Sequence, residues 1–134
     1  MTETHLLDTG WMIRHFRGDK SYTATIQQIG SPRLAVSLLS VAELYEGVFR
    51  STDPLLAEFT LRTFLSDKTI LPITPEICRL FGEHRARLRR QNQLVGDFDL
   101  MIGATCLAVG LTLLTTNPRH FEPLIGLTVI SKPF

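Results

Sequence analysis

Leu34-Ala35-Val36-Ser37-Leu38-Leu39-Ser40-Val41-Ala42-Glu43-Leu44, with Val48 one turn further on, is the stretch on which the fold turns. Leu34 to Leu39 is an almost unbroken apolar run. Such a run suits a strand covered on both faces, as in a parallel sheet lying between two layers of helices. Ser40-Val41-Ala42-Glu43 then matches a capping box, in which the serine hydroxyl and the glutamate carboxylate each satisfy one free amide of a helix start. Leu44 and Val48 fall on one side of that helix. The stretch therefore reads as a strand feeding a helix, with an acid just past the strand.

The same alternation extends outward in both directions. Upstream, His5–Leu7 reads as a first strand stopping at Asp8-Thr9-Gly10. Short helices are expected over Trp11–Phe16 and Tyr22–Ile29, the second closed by Gly30-Ser31-Pro32. Downstream, Pro54–Leu65 reads as a helix with proline in the favoured first turn after Asp53. Thr69–Ile73 is a strand interrupted by Pro72, hence short or at an edge. Thr74-Pro75-Glu76 opens a helix reaching about Arg90. Gly96-Asp97 introduces a helix over Phe98–Val109 that Gly110 stops. Leu111–Leu114 is a further strand, Arg119–Phe121 a turn, and Leu127–Ile130 a last strand. Strands alternating with helices predict one three-layer α/β/α domain over residues 1–134, with a central, mostly parallel sheet.

Composition fits that reading and excludes several others. The 134 residues are 44% hydrophobic and 20% charged, an ordinary globular balance and not that of a disordered chain. Net charge is +1, so the protein as a whole is no electrostatic sponge for nucleic acid. The charge is uneven, however. Arg79, Arg85, Arg87, Arg89 and Arg90 face a single acid, Glu83, and this run suits either a phosphate-binding face or a solvated helix side. Cys78 and Cys106 are far apart in apolar helical contexts, unlike a zinc or redox motif, and are expected to be buried and reduced. No signal peptide and no run of about 18 apolar residues is seen, so a cytoplasmic protein with no membrane contact is expected.

Three acids stand where apolar runs end or begin: Asp8 after the first strand, Glu43, and Asp99 before Leu100–Val109. Ligands of open α/β sheets bind at the carboxyl ends of strands. Carboxylates converging there repel by about 4 kcal/mol per pair ~4 Å apart at an effective dielectric of ~20, and so call for protonation or a hard cation. Each acid also has a plain structural reading. Asp8 suits a helix N-cap, Glu43 the capping box with Ser40, and one of Asp97 and Asp99 the N-cap of the last long helix, leaving the other free. Asn117 with Thr115 and Thr116 ends a strand on the same side as Asp8, although Asn-Pro is also a good turn. Neither Ser40 nor Cys106 has a base partner, and no glycine-rich phosphate loop is present.

Taken together, Leu6-Leu7-Asp8-Thr9, Ser40-Val41-Ala42-Glu43-Leu44 with Gly47-Val48, Asp97-Phe98-Asp99-Leu100-Met101-Ile102-Gly103-Ala104, and Gly110-Leu111-Thr112-Leu113-Leu114-Thr115-Thr116-Asn117 with Arg119-His120-Phe121-Glu122 resemble a PIN-domain ribonuclease of the VapC toxin type. The motifs run in order over nearly the whole chain. The resemblance implies a small parallel-sheet domain that depends on Mg2+ or Mn2+, cleaves RNA, forms a homodimer and is controlled by a cognate antitoxin. It implies Asp8 and Asp99 as principal metal ligands and Glu43 as the third acid, with Asp97 as a possible fourth. Thr9, Ser40, Thr116 and Asn117 would support them, and Arg85, Arg87, Arg89 and Arg90 are candidates for RNA contact. Two departures stand out: His120 occupies a place where the family often has another acid, and Gly10 one where it usually has a small polar residue.

Two rival readings remain at this stage. A degenerate PIN domain could bind without cutting. Asp8-Thr9-Gly10 also fits the loop of a small aspartic protease, but such a protein is nearly all strand and the helical patterns here oppose it.

Overall fold

Leu6 and Leu7 are adjacent in sequence, fully buried, and belong to opposite cores. That split is possible because successive side chains of a strand point to opposite faces. In the computed structural model, which describes residues 2–134, the strand β1 (His5–Leu7) lies at the centre of a five-stranded sheet. Its companions are β2 (Leu34–Ser37), β3 (Thr69–Leu71), β4 (Thr112–Leu114) and β5 (Val129–Ile130), in the order β3-β2-β1-β4-β5. Every pairing is parallel. Leu6, Ala35 and Leu113 point into one core, while Leu7, Leu34, Val36 and Leu114 point into the other.

Helices cover both faces. α1 (Thr9–Phe16), α2 (Lys20–Ile29), α3 (Leu38–Arg50) and α4 (Pro54–Leu65) contribute Trp11, Ile26, Leu44 and Leu61 to one core. α5 (Pro75–Arg90) and α6 (Asp97–Val109) contribute Leu88, Leu100, Ile102 and Cys106 to the other. The result is the three-layer domain expected from the sequence. Most helix starts are capped by a side chain just outside: Asp8, Asp19, Ser37, Asp53 and Thr74 each accept a hydrogen bond from an amide of the first turn.

Three details of the sequence reading are corrected. β2 ends at Ser37, not Leu39: the Ser37 hydroxyl accepts from the Leu39 N–H at 3.1 Å and starts α3 there. Leu38 is accordingly half-exposed on the helix, and the six-residue apolar run was a four-residue strand joined to a helix start. The capping box at Ser40 is therefore absent, because Ser40 already lies inside α3. Cys78, expected to be buried, is exposed on the outer side of α5, whereas Cys106 is buried.

α6 is approached closely at a glycine. Gly103 is buried in mid-helix, and a Cβ there would fall on Leu124 Cδ1, with Phe121 Cδ1 at 3.6 Å. Helical glycine costs about 0.5–1 kcal/mol relative to alanine, so close approach of the 118–124 segment is what it permits. Gly103→Val is expected to destabilise the protein by about 1–3 kcal/mol, read as a lower urea midpoint at unchanged m. An unchanged midpoint would show that the 118–124 segment is not packed against α6 as described.

Candidate functional site

Register builds the site. Leu7 of β1 pairs with Leu114 of β4, so the next residues, Asp8 and Thr115, leave the sheet side by side. The Thr115 hydroxyl donates to Asp8 Oδ2 at 2.7 Å, and the Thr9 N–H donates to Asp8 Oδ1 at 2.9 Å. The Asp8 N–H in turn donates to the Leu114 carbonyl at 2.9 Å. Asp8 is thus the N-cap of α1 and a buried acid at the end of the central strand at once. Burial pushes its carboxyl above the usual range, against the hydrogen bonds from Thr115 and Thr9. The charge of Asp99 adds to the rise, and His120 eases it.

Glu43 turns toward the same place. Its Oε1 accepts from the Thr9 hydroxyl at 2.8 Å, so α3 is tied to the first residue of α1. This is the inward orientation that a capping role would have prevented. Burial also raises the Glu43 carboxyl, opposed by the Thr9 hydroxyl and reinforced by the charges of Asp8, Asp99 and Glu46. Ser40, one turn earlier in α3, is fully buried, and its hydroxyl has no hydrogen-bond partner among the described residues. Such a group costs about 1–3 kcal/mol unless something satisfies it.

Neither Asp97 nor Asp99 caps α6, contrary to expectation: the cap position is Gly96 and it makes no side-chain bond. Both aspartates lie in the first turn, where the helix dipole favours anions. They differ in their partners. Asp97 is exposed and forms an ion pair with Arg85 of α5. Asp99 is more enclosed, and its Oδ2 accepts from His120 Nδ1 at 2.8 Å. His120 lies in a short 3-10 turn, Pro118–Phe121, which buried Phe121 anchors against α6. From the sequence His120 stands out as the one histidine near the proposed site and as a missing acid; its contact with Asp99 spans 21 positions and leaves no local signal.

The remaining candidates divide. Thr9 and Thr115 touch the acids directly. Thr116 packs over Gly10, where its Oγ1 occupies the space a Cβ at position 10 would take. The Asn117 side chain is exposed, while its backbone N–H donates to the Thr115 hydroxyl at 3.1 Å. Arg85 is engaged with Asp97 and stacks over Phe81, its guanidinium carbon 5.1 Å from the ring centre. Arg87 is engaged with the Pro123 carbonyl at 3.0 Å and with His84 and Gln91. Arg89 and Arg90 are exposed. The Cys106 thiol is pushed up to about 12 by burial and by the charge of Asp8, so it offers no thiolate.

The donor set suits a hard divalent cation: three carboxylates, with the charge of Asp99 acting on Asp8 and Glu43, and no thiolate. Among the described residues, however, no three His, Cys, Asp or Glu side chains are already gathered closely enough to enclose an ion. Both oxygens of Asp8 are engaged, by the Thr115 hydroxyl and the Thr9 amide, and one oxygen each of Glu43 and Asp99, by the Thr9 hydroxyl and by His120. A carboxylate oxygen has two lone pairs, so these bonds leave capacity for a cation.

A PIN-domain family model matches residues 5–123. Ribonuclease VapC2 of Haemophilus influenzae is 38% identical over 95 residues, covering 71% of this chain and 72% of that protein. Ribonuclease VapC19 of Mycobacterium tuberculosis is 33% identical over 118 residues, covering 87% and 90%. Among solved structures, DNA-bound VapBC from Salmonella typhimurium superposes with a TM-score of 0.88 at 25% identity, over 96% of this chain and 97% of the matched one.

The raised carboxyls at the sheet end carry a sign. In the folded chain Asp8 and Glu43 hold their protons to higher pH than in the unfolded one, so ionising them lowers stability as pH rises through the acid range. Asp8→Asn keeps a competent cap and removes the buried charge. Without divalent ions it is expected to melt higher than wild type at about pH 8, the gap closing as pH falls below about 3, under the ordinary aspartate value of about 3.9, where Asp8 is protonated in either state. A gap independent of pH would refute the burden assigned to the Asp8 charge.

Proposed function

This chain belongs to the PIN-domain family, and from that premise we propose that it is a divalent-metal-dependent endoribonuclease, the toxin of a toxin–antitoxin pair. What supports the reading is the set of acids at the carboxyl end of the sheet: besides burial, the charge of Asp99 raises Asp8, and the charges of Asp8 and Asp99 raise Glu43. The named relatives are ribonucleases, and the matched structure is a VapBC complex. The RNA substrate and the antitoxin partner come to this chain from them.

Asp8 and Asp99 are proposed as the principal ligands of Mg2+, with Mn2+ as its functional substitute, and Glu43 as a ligand directly or through water. When bound, such an ion stabilises charge on the scissile phosphate and lowers the pKa of a water molecule. The residues around it do the positioning. Thr115 and the Thr9 amide fix both oxygens of Asp8, and the Thr9 hydroxyl ties Glu43 to the same helix start. His120 holds one oxygen of Asp99. Attack by water, and not by the ribose 2′-hydroxyl, leaves a 3′-hydroxyl and a 5′-phosphate.

Two observations favour a second reading, a PIN domain that binds without cutting: His120 already engages Asp99, and no three ligands are gathered among the described residues. Calorimetric titration with Mn2+ separates the two, since a binding-only domain shows no site that Asp99→Asn removes.

Asp8→Asn and Asp99→Asn are each expected to lower kcat/KM for RNA cleavage at least about 100-fold while the circular dichroism spectrum is kept, because supporting residues of metal sites alone are worth 10–100-fold. Chelation of divalent ions should abolish cleavage, and Mg2+ or Mn2+ should restore it. Full cleavage by Asp99→Asn would sink the proposed chemistry.

A further inference from the structure

The connection between α5 and α6 and the first turn of α6 expose two large apolar side chains: Leu94 is 93% and Phe98 47% exposed. Phe98 lies between Asp97 and Asp99 in the first turn of α6. Just upstream, α5 ends in Arg89 and Arg90, which are exposed and form no ion pair among the described residues.

The connection is held by backbone bonds at both ends. Asn92 takes a left-handed conformation with φ 54°, a region that asparagine tolerates better than most residues. Its N–H donates to the Arg89 carbonyl at 3.2 Å, and the Gln93 N–H donates to the Leu88 carbonyl at 2.9 Å. These are the two bonds of a Schellman helix end. On the other side the Leu100 N–H donates to the Gly96 carbonyl at 2.9 Å. The ring and the two arginines are therefore presented from fixed backbone. Arginines also suit the negative end of α5, but that role does not explain the half-exposed ring of Phe98, which follows Asp97, the ion-pair partner of Arg85 one turn before Arg89.

An RNA phosphate approaching Asp8, Glu43 and Asp99 is repelled unless cations stand nearby. Arg85 is spent on Asp97 and Arg87 on Pro123 and His84, whereas Arg89 and Arg90, like the exposed Arg119 beside His120, form no ion pair among the described residues. Free cations with an adjoining exposed aromatic face are what single-stranded nucleic acid binding uses: the charges track phosphates, and the ring stacks on a base without reading its identity.

We infer that the α5–α6 connection is a single-stranded RNA subsite in which a nucleobase stacks on Phe98 and adjacent phosphates lie against Arg89 and Arg90. This rests on the ribonuclease reading and deepens it, by placing a contact outside the acids and making it tolerant of sequence.

The test is fluorescence anisotropy of the whole protein with a short single-stranded RNA of mixed sequence, divalent ions chelated so that nothing is cut. Phe98→Ala should bind at least about fivefold more weakly and Phe98→Trp as well as wild type. Wild type should lose a similar factor when one nucleotide of the strand is replaced by an abasic ribose, and Phe98→Ala should lose little further at that position. A merely structural role for Phe98 would not produce that non-additivity. Arg89→Ala with Arg90→Ala should reduce the slope of log affinity against log salt by about 1.4. Equal affinity of Phe98→Ala for every strand overturns the inference, as do abasic losses that add to the Phe98→Ala loss. So does unchanged RNA affinity with weakened antitoxin binding, which would make the patch a protein contact. These outcomes are separate from failure of the ribonuclease reading, which a wild-type protein inert toward RNA in Mn2+ would signal.

Discussion

A negative charge buried at the end of the central strand is the constraint around which this molecule is arranged. Asp8 is 7% exposed and sits where β1 gives way to α1, so its carboxylate must be satisfied by neighbours and not by water. Both oxygens are satisfied, one by an amide of the helix it caps and one by the hydroxyl of Thr115. The second bond exists only because β1 and β4 run parallel in a register that carries Leu7 past Leu114. Slipping that register by one residue would exchange the faces of Leu113 and Leu114 between the two cores as well as strand the carboxylate. The packing of the sheet and the polar geometry at its edge are thus one solution.

Much of the architecture was legible from the sequence. The helix over Pro54–Leu65 is found with the expected bounds, because Asp53 and Pro54 mark its start by strong local chemistry. The edge character of the strand before Pro72 was legible for a similar reason. What failed was the boundary between β2 and α3. An apolar run does not say where a strand becomes a helix, and Ser40 with Glu43 imitated a cap that Ser37 provides. The family pattern picked out the acids as a set and Thr9 among their supports, but not which acid each partner would bind. Glu43 finds Thr9 across 34 positions and Asp99 finds His120 across 21, and contacts of that range depend on the packed layers.

The two aspartates that open α6 show how position alone underdetermines role. They are two residues apart and equally favoured by the helix dipole. Asp97 faces out and is neutralised by Arg85, whereas Asp99 is turned inward and contributes to the charge on Asp8 and Glu43. One arginine thereby decides which of two similar acids adds to the field of the sheet edge.

Gly10 and Thr116 share a volume large enough for only one side chain. With threonine in place, a Cβ gained at position 10 collides with its hydroxyl, while the Thr116 Cβ itself stands an ordinary 3.5 Å away. The two sites are therefore ordered in evolution. A lineage that trims Thr116 to alanine first can then enlarge residue 10 freely, whereas the reverse sequence passes through a strained ancestor. Descendants of this chain would then diversify through one door and rarely the other.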